Sequence, residues 1–180
     1  MKLLVTGGAG FIGSNFIHYW LKTHPDDQIV NLDKLTYAGN PDNLKNVASS
    51  SQYKFIKGDI GDIDAANLAL QKVDTVVNFA AESHVDRSIL GPGIFLMTNV
   101  IGTQVLLEAS LEHQLKLFIH VSTDEVFGDL PFDRPRTFLS TNVLMLLSPL
   151  NIQNISSAEL LKYNCFVVRA GKPSLKSQNN

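Results

Sequence analysis

The sequence predicts a single α/β domain built on a doubly wound parallel sheet, and three observations carry that prediction. Short apolar runs that read as strands alternate with helical runs, at a spacing that requires crossover connections. The first of these strands ends in a glycine-rich turn that leads directly into a helix. The fourth, Thr75 to Phe79, is almost wholly apolar, as expected of a strand covered on both faces. In such sheets the ligand crevice lies at the carboxyl ends of the strands, so the residues that follow each strand are the place to look for chemistry.

The first element is the run Lys2 to Val5, followed by Thr6-Gly7-Gly8-Ala9-Gly10-Phe11-Ile12-Gly13 and an amphipathic helical run from near Ser14. Glycines at 7, 10 and 13 let the turn tighten, let backbone approach a diphosphate without a Cβ in the way, and let the helix lie close to the strand. The free N–H groups and partial positive charge of the helix N-terminus then face that diphosphate. A second strand, Gln28 to Leu32, ends in Asp33, twenty residues past Gly13. A carboxylate there accepts both ribose hydroxyls and repels a 2′-phosphate, which favours NAD over NADP.

Lys34 to Pro41 reads as a loop over the adenosine half of a nucleotide, and Asp42 to Ala48 as a weak helix. A third strand, Tyr53 to Lys57, ends at Gly58-Asp59-Ile60, where a carboxylate and a flat apolar side chain could meet an adenine edge. Tyr53 and Lys57 have the spacing of a known catalytic pair, but on a strand, at this point in the chain, that spacing is discounted. A helix from Asp64 to Lys72 precedes the fourth strand, after which Ala80-Ala81-Glu82-Ser83-His84-Val85-Asp86-Arg87-Ser88 offers small residues to a cofactor and polar groups to a sugar. Taken singly, His84 and Arg87 read as parts of a solvated loop. Gly91-Pro92-Gly93 breaks the chain before a long helix from about Phe95 to His113, near whose start Thr98 and Asn99 either face a cofactor or cap and pack. The fifth strand, Lys116 to Val121, delivers Thr123, Asp124 and Glu125 to the crevice, where desolvation and mutual repulsion can leave one carboxyl protonated and the other ionised.

Composition narrows the partners. The 180 residues, 44% hydrophobic and 18% charged, suffice for one core, with residues 1–170 as the domain and 171–180 as a polar, disordered tail. Fifteen basic against seventeen acidic residues leave a formal charge of −2, with no basic footprint for nucleic acid or for a membrane surface. A small polar substrate is the expected partner. Cys165 is the only cysteine, so no internal disulfide, zinc cluster or dithiol motif can be built; no metal site is expected, and the cytoplasm is the simplest setting. No signal-peptide pattern precedes the glycine turn, and the late apolar run Val143 to Leu147 is too short to span a bilayer.

Four stretches together closely resemble the dTDP-glucose 4,6-dehydratases, extended short-chain dehydrogenases/reductases of Rossmann-like fold: the glycine turn, Asp33-Lys34-Leu35-Thr36-Tyr37-Ala38-Gly39-Asn40, Ala80 to Ile89, and Ser122-Thr123-Asp124-Glu125-Val126. The resemblance runs nearly unbroken from Met1 to about Arg136. It implies NAD contacts from Phe11, Ile12, Asp33, Lys34, Leu35, Thr36, Asp59, Ile60, Ala80, Ala81, Glu82, Ser83 and Thr98, and a sugar-nucleotide contact from His84. It also implies that hydride leaves C4 of the hexose for NAD⁺, Glu125 removes the C5 proton, Asp124 protonates the departing C6 hydroxyl, Thr123 holds the C4 oxygen, and hydride returns to C6. Acid and base steps of this kind contribute roughly a hundred- to ten-thousandfold each. The long helix from Phe95 and the helix near Ser156 correspond to the family's dimer surfaces, so a homodimer is expected.

The family also uses a tyrosine and, four residues later, a lysine. An ungapped match through Ser148-Pro149 and Ser156 to Leu161 puts Leu150 and Asn154 in those places, and neither can take over the chemistry. Phe127 replaces a usual tyrosine. Residues 137–155 are irregular against the family, and the family's substrate-binding C-terminal region is absent. A reading-frame disturbance over roughly 138–155 would account for this; transcript sequencing that returns the same reading removes that account. Two alternatives to an active dehydratase stand at this point: a catalytically inactive NAD-binding fragment, and a related sugar-nucleotide epimerase or decarboxylase, against which the Thr-Asp-Glu triplet argues. Asn164 to Ala170 reads as a sixth strand.

Overall fold

The computed structural model describes residues 1–122 and 165–168. In chain order the elements are β1 (Lys2–Thr6), α1 (Phe11–Thr23), β2 (Gln28–Asp33), a 3₁₀ turn at Pro41–Leu44, β3 (Tyr53–Lys57), α2 (Ile63–Ala69) and β4 (Thr75–Asn78). They continue with α3 (Val85–Leu90), α4 (Pro92–Phe95), a π-helical stretch at Leu96–Gly102, α5 (Thr103–Glu112), β5 (Leu117–Val121) and β6 (Cys165–Val168). The strands lie in the order β3-β2-β1-β4-β5-β6. All pairings from β3 through to β5 are parallel, as the sequence predicts. The order reverses between β1 and β4, the switch point at which a doubly wound sheet opens its crevice.

The expected sixth strand is present but runs antiparallel to β5. An apolar run identifies a strand without recording its direction, and antiparallel edges on otherwise parallel sheets are common. The irregular stretch 137–155 and the tail 171–180 lie outside the described residues.

Successive side chains of β1 enter opposite layers. Leu4 joins Leu32, Ile60, Leu70, Val76, Leu106 and Phe118 on the side covered by α2 and α5, while Leu3 and Val5 join Ile17, Ile29 and Val77 under α1. Each fully buried leucine or isoleucine contributes about 1.5–3 kcal/mol, so this two-sided burial holds the sheet's centre rigid. All four residues of β4 are buried, as its apolar run requires. Along α1, Phe16 meets Phe79, and Trp20 stacks on the His24 ring at 4.1 Å while its Nε1–H donates to Asp27 at 3.0 Å.

Local chemistry moved several boundaries. Helix α1 begins at Phe11, earlier than the Ser14 expected, because Gly10 already adopts an extended cap geometry. Asp62 caps α2 by accepting from the N–H groups of Asp64 and Ala65, which sets its start. The weak helix near Asp42 is reduced to the 3₁₀ turn. The stretch read as a loop around His84 to Ser88 is helical from Val85, and α3 contributes no buried residue. Its helical nature was therefore invisible to any apolar periodicity. The continuous rod Pro92–Glu112 is 21 residues long and apolar enough by composition to cross a membrane, which the sequence reading did not anticipate. Its apolar content divides between Leu106, Leu107 and Ala109, which enter the core, and Leu96, Met97 and Ile101, which are exposed.

Candidate functional site

The glycine turn is fixed from both sides. Gly7 sits at φ +64°, and a Cβ on it would come within 2.8–2.9 Å of the backbone of Phe79 and Ala80, so no other residue fits that bend. Its N–H donates to the Leu32 carbonyl at 3.0 Å, and the Gly10 N–H closes the turn on the Gly7 carbonyl at 3.1 Å. The next strand holds the middle: Gly8 N–H donates to Asn31 Oδ1 at 3.1 Å and Ala9 N–H to Asp33 Oδ2 at 2.8 Å. A Cβ on Gly13 would overlap the Gly7 carbonyl oxygen, which is why the helix can start so close to the strand.

What this leaves at the mouth is a set of bare donors. Gly10 caps α1 without a side chain, and the first intrahelical bond is from Ser14 N–H to the Gly10 carbonyl at 3.0 Å. The N–H groups of Phe11, Ile12 and Gly13 therefore have no acceptor within the helix. Here an anion is stabilised by both the donors and the helix dipole.

Asp33 is buried, and its second oxygen accepts from Leu35 N–H at 2.8 Å, holding Leu35 at φ +57°. A carboxylate offers about four lone-pair sites, so two remain beyond these backbone bonds. The loop beyond it is tied at both ends. Lys34 pairs with Asp59 at 2.6 Å, and Asn40 N–H donates to the Ala9 carbonyl at 3.0 Å. Burial alone would raise the Asp59 pKa, but the Lys34 ammonium and the Gly61 N–H outweigh it and hold the carboxyl below its ordinary value. The Ile60 side chain is buried in the core, 2.8 Å from where a Cβ on Gly102 would stand. Thr36 is exposed at the loop and Leu35 half-buried.

The opposite wall follows β4. Ala80 is half-buried, Ala81, Ser83 and His84 are exposed, and Glu82 is buried with Oε2 unpartnered. Asn99, from the π-helical stretch, grips the Glu82 backbone in both directions: Oδ1 accepts the Glu82 N–H at 2.8 Å and Nδ2 donates to the Glu82 carbonyl at 2.9 Å. Of the two roles left open for Asn99, packing is the one observed. Thr98 beside it is half-buried. Beneath both walls a polar chain crosses the sheet. Thr6 Oγ1 donates to Asn78 Oδ1 and accepts the Ala80 N–H at 3.3 Å, while Asn78 Nδ2 donates to His120 Nδ1 at 3.0 Å. That assignment puts the His120 proton on Nε2, and burial pushes its pKa below the ordinary histidine value. On the other side Asn31 Nδ2 donates to the Tyr53 hydroxyl at 2.9 Å; burial is the main cause of that phenol's raised pKa, and the discounted Tyr53–Lys57 pair thus has a structural use for its tyrosine.

The structure brings Gly7, Gly10, Phe11, Ile12, Gly13, Asp33, Lys34 and Asp59 together around one turn, with Ala80 against Gly7. Thr123, Asp124 and Glu125 lie outside the described residues, as do Leu150 and Asn154. Asn31, Asn78 and His120 were not foreseen as parts of the site. Their only signal is a polar residue inside or beside an apolar strand or helix. No cluster of potential metal ligands occurs among the described residues.

Against known proteins, residues 4–141 match the family model described as GDP-mannose 4,6 dehydratase. The chain is 52% identical over 130 residues to the low-salt glycan biosynthesis protein Agl12 of Haloferax volcanii, covering 72% of this chain and 42% of that protein. It is 51% identical over 135 residues to the dTDP-glucose 4,6-dehydratase of Streptomyces niveus, covering 73% and 40%. The crystal structure of the dTDP-glucose 4,6-dehydratase DesIV from Streptomyces venezuelae, which has NAD bound, superimposes with a TM-score of 0.69 at 50% identity, covering 73% of this chain and 42% of that one. The chain thus spans 40–42% of the length of these curated relatives.

Proposed function

The chain belongs to the GDP-mannose 4,6-dehydratase family, and we propose that it carries the NAD-binding half of a dTDP-hexose 4,6-dehydratase. The observation that supports this reading is the pairing of bare N–H groups at Phe11 and Ile12 with the buried Asp33 carboxylate of the neighbouring strand. The first fits a diphosphate and the second a ribose. Ala80 and Ala81 leave the facing wall low. When bound, NAD⁺ supplies a hydride acceptor for C4 of the hexose and returns the hydride at C6. The protein's own part, by family pattern, is Glu125 taking the C5 proton, Asp124 protonating the leaving C6 hydroxyl, Thr123 holding the C4 oxygen and His84 meeting the sugar nucleotide.

A second reading has a specific observation behind it. With Leu150 and Asn154 where the family has its tyrosine and lysine, the family's group for taking the C4 hydroxyl proton is missing from its place. On this reading the chain binds NAD and does not turn over. Calorimetry with nucleotide-free protein tests the binding that both readings share: heat on addition of NAD⁺ is expected, and its absence removes both. Incubation with dTDP-glucose, followed by the alkali-induced absorbance of a 4-keto-6-deoxy product, separates them. The exposed Leu96, Met97 and Ile101 supply an apolar face for pairing two copies, and a cytoplasmic setting completes the proposal.

A further inference from the structure

Across the crevice mouth the two walls touch at one cluster of side chains outside the sheet. Tyr37 stands at the tip of the loop after β2, about half exposed, and the Arg87 guanidinium of α3 lies over its ring, 4.0 Å from the centroid. The His84 ring meets the same tyrosine edge-on at 6.4 Å. The loop is anchored on the glycine-turn side by Asn40 N–H to the Ala9 carbonyl, and the Ala38 carbonyl lies 3.9 Å from where a Gly10 Cβ would stand. The residue after the tip thus lies against Gly10, the N-cap of α1. Helix α3, in contrast, buries none of its residues, and Ile89 and Leu90 are largely exposed. An element with so little buried surface opens at small cost.

We propose that Tyr37 and Arg87 form a clasp that closes the mouth over a seated dinucleotide and slows its escape. The inference rests on the NAD reading above. Tyr37 and Arg87 are positioning residues here: the ring is fixed through its loop to the turn, the cation is fixed on the ring, and α3 with His84 is thereby held against the adenosine side. Both partners are exposed, and a cation–π contact at an exposed site contributes enough for about a two- to fivefold effect.

The test is the rate at which NADH leaves this chain when chased with excess NAD⁺, followed by nicotinamide fluorescence. Tyr37→Leu and Arg87→Met are each expected to speed release about two- to fivefold, Tyr37→Phe to match the parent, and the double variant to release no faster than the faster single one. Release rates unchanged in both single variants, a Phe variant as fast as the Leu variant, or multiplicative singles would each overturn the clasp. A ligand-free readout is independent of the nucleotide: the Tyr37 ring current should shift the Arg87 Cδ protons upfield, and unshifted resonances overturn the contact itself. A parent protein that shows the shift yet binds no NADH overturns the dinucleotide reading and the retaining role together, while leaving the contact standing.

Discussion

On one wall of the crevice every backbone N–H from Gly7 to Gly10 has a named acceptor, three of them on β2. On the other wall Glu82 is gripped by the single side chain of Asn99, and α3 contributes nothing to the core. The first wall is formed before any ligand arrives. The second depends on a few removable contacts. The difference teaches where affinity and kinetics should separate: changes to the β1–β2 wall alter whether a nucleotide binds and whether the domain folds, while changes to the β4 wall alter how the mouth is ordered.

The largest effect is expected at Gly13. Gly13→Val would drive side-chain carbon into the Gly7 carbonyl, a backbone group that cannot swing aside, and should cost about 3 kcal/mol or more, read as the fall in urea midpoint. A midpoint unchanged from the parent would show that the turn is softer than described.

Next comes Asp33→Ala, which strands the N–H groups of Ala9 and Leu35. Each unsatisfied group costs about 1–3 kcal/mol, so denaturation should show a clear loss, with heat of NAD⁺ binding lost as well. Retained binding with lost stability would confine Asp33 to holding the turn.

Asn99→Ala should cost about 1–2 kcal/mol, and its signature is local: faster hydrogen exchange at the Glu82 amide with the amides of Gly8 and Ala9 unaffected. Faster exchange on both walls would erase the contrast between them.

Acid sensitivity comes next. Burial holds the native His120 pKa below the ordinary 6.5, so below that value the unfolded chain takes up the proton more readily than the folded one. Stability from this group is full above about 6.5 and declines as the pH falls from there toward the lowered native value. Asp27, Asp59 and Asp74, also lowered, act only further down, in the carboxylate range. Urea midpoints at pH 7 and pH 5.5 (roughly the start and middle of the histidine range) should differ in the parent and converge in His120→Asn.

The smallest effect is expected from Lys34→Met, because the Lys34–Asp59 pair is half exposed and such pairs contribute about 0–1 kcal/mol. A double-mutant cycle with Asp59→Asn measures it.

The parts of this arrangement that the sequence revealed are those written locally. Gly7, Gly10 and Gly13 announce a turn within seven residues, and alternating apolar runs announce the strands between them. The hidden parts are contacts between distant segments. Asp33 was read for its reach toward a ribose, yet it also holds Ala9, a partner 24 positions away. Ile60 was read for its place after a strand end, yet its side chain also fills the space that Gly102, 42 positions away, leaves open. Helix α3 was missed because a helix that buries nothing leaves no periodic trace. Strand pattern likewise could not show that β6 reverses direction.

Trp20, the chain's one tryptophan, rests on His24 in the same helix whose first turn faces the crevice. It lies nine residues along α1 from Phe11, about 14 Å at the helical rise. The protein therefore contains its own optical probe: unravelling of α1 parts the indole from the stacked imidazole and exposes it to water, which changes its emission. A single unlabelled sample can thus report denaturation without an added dye.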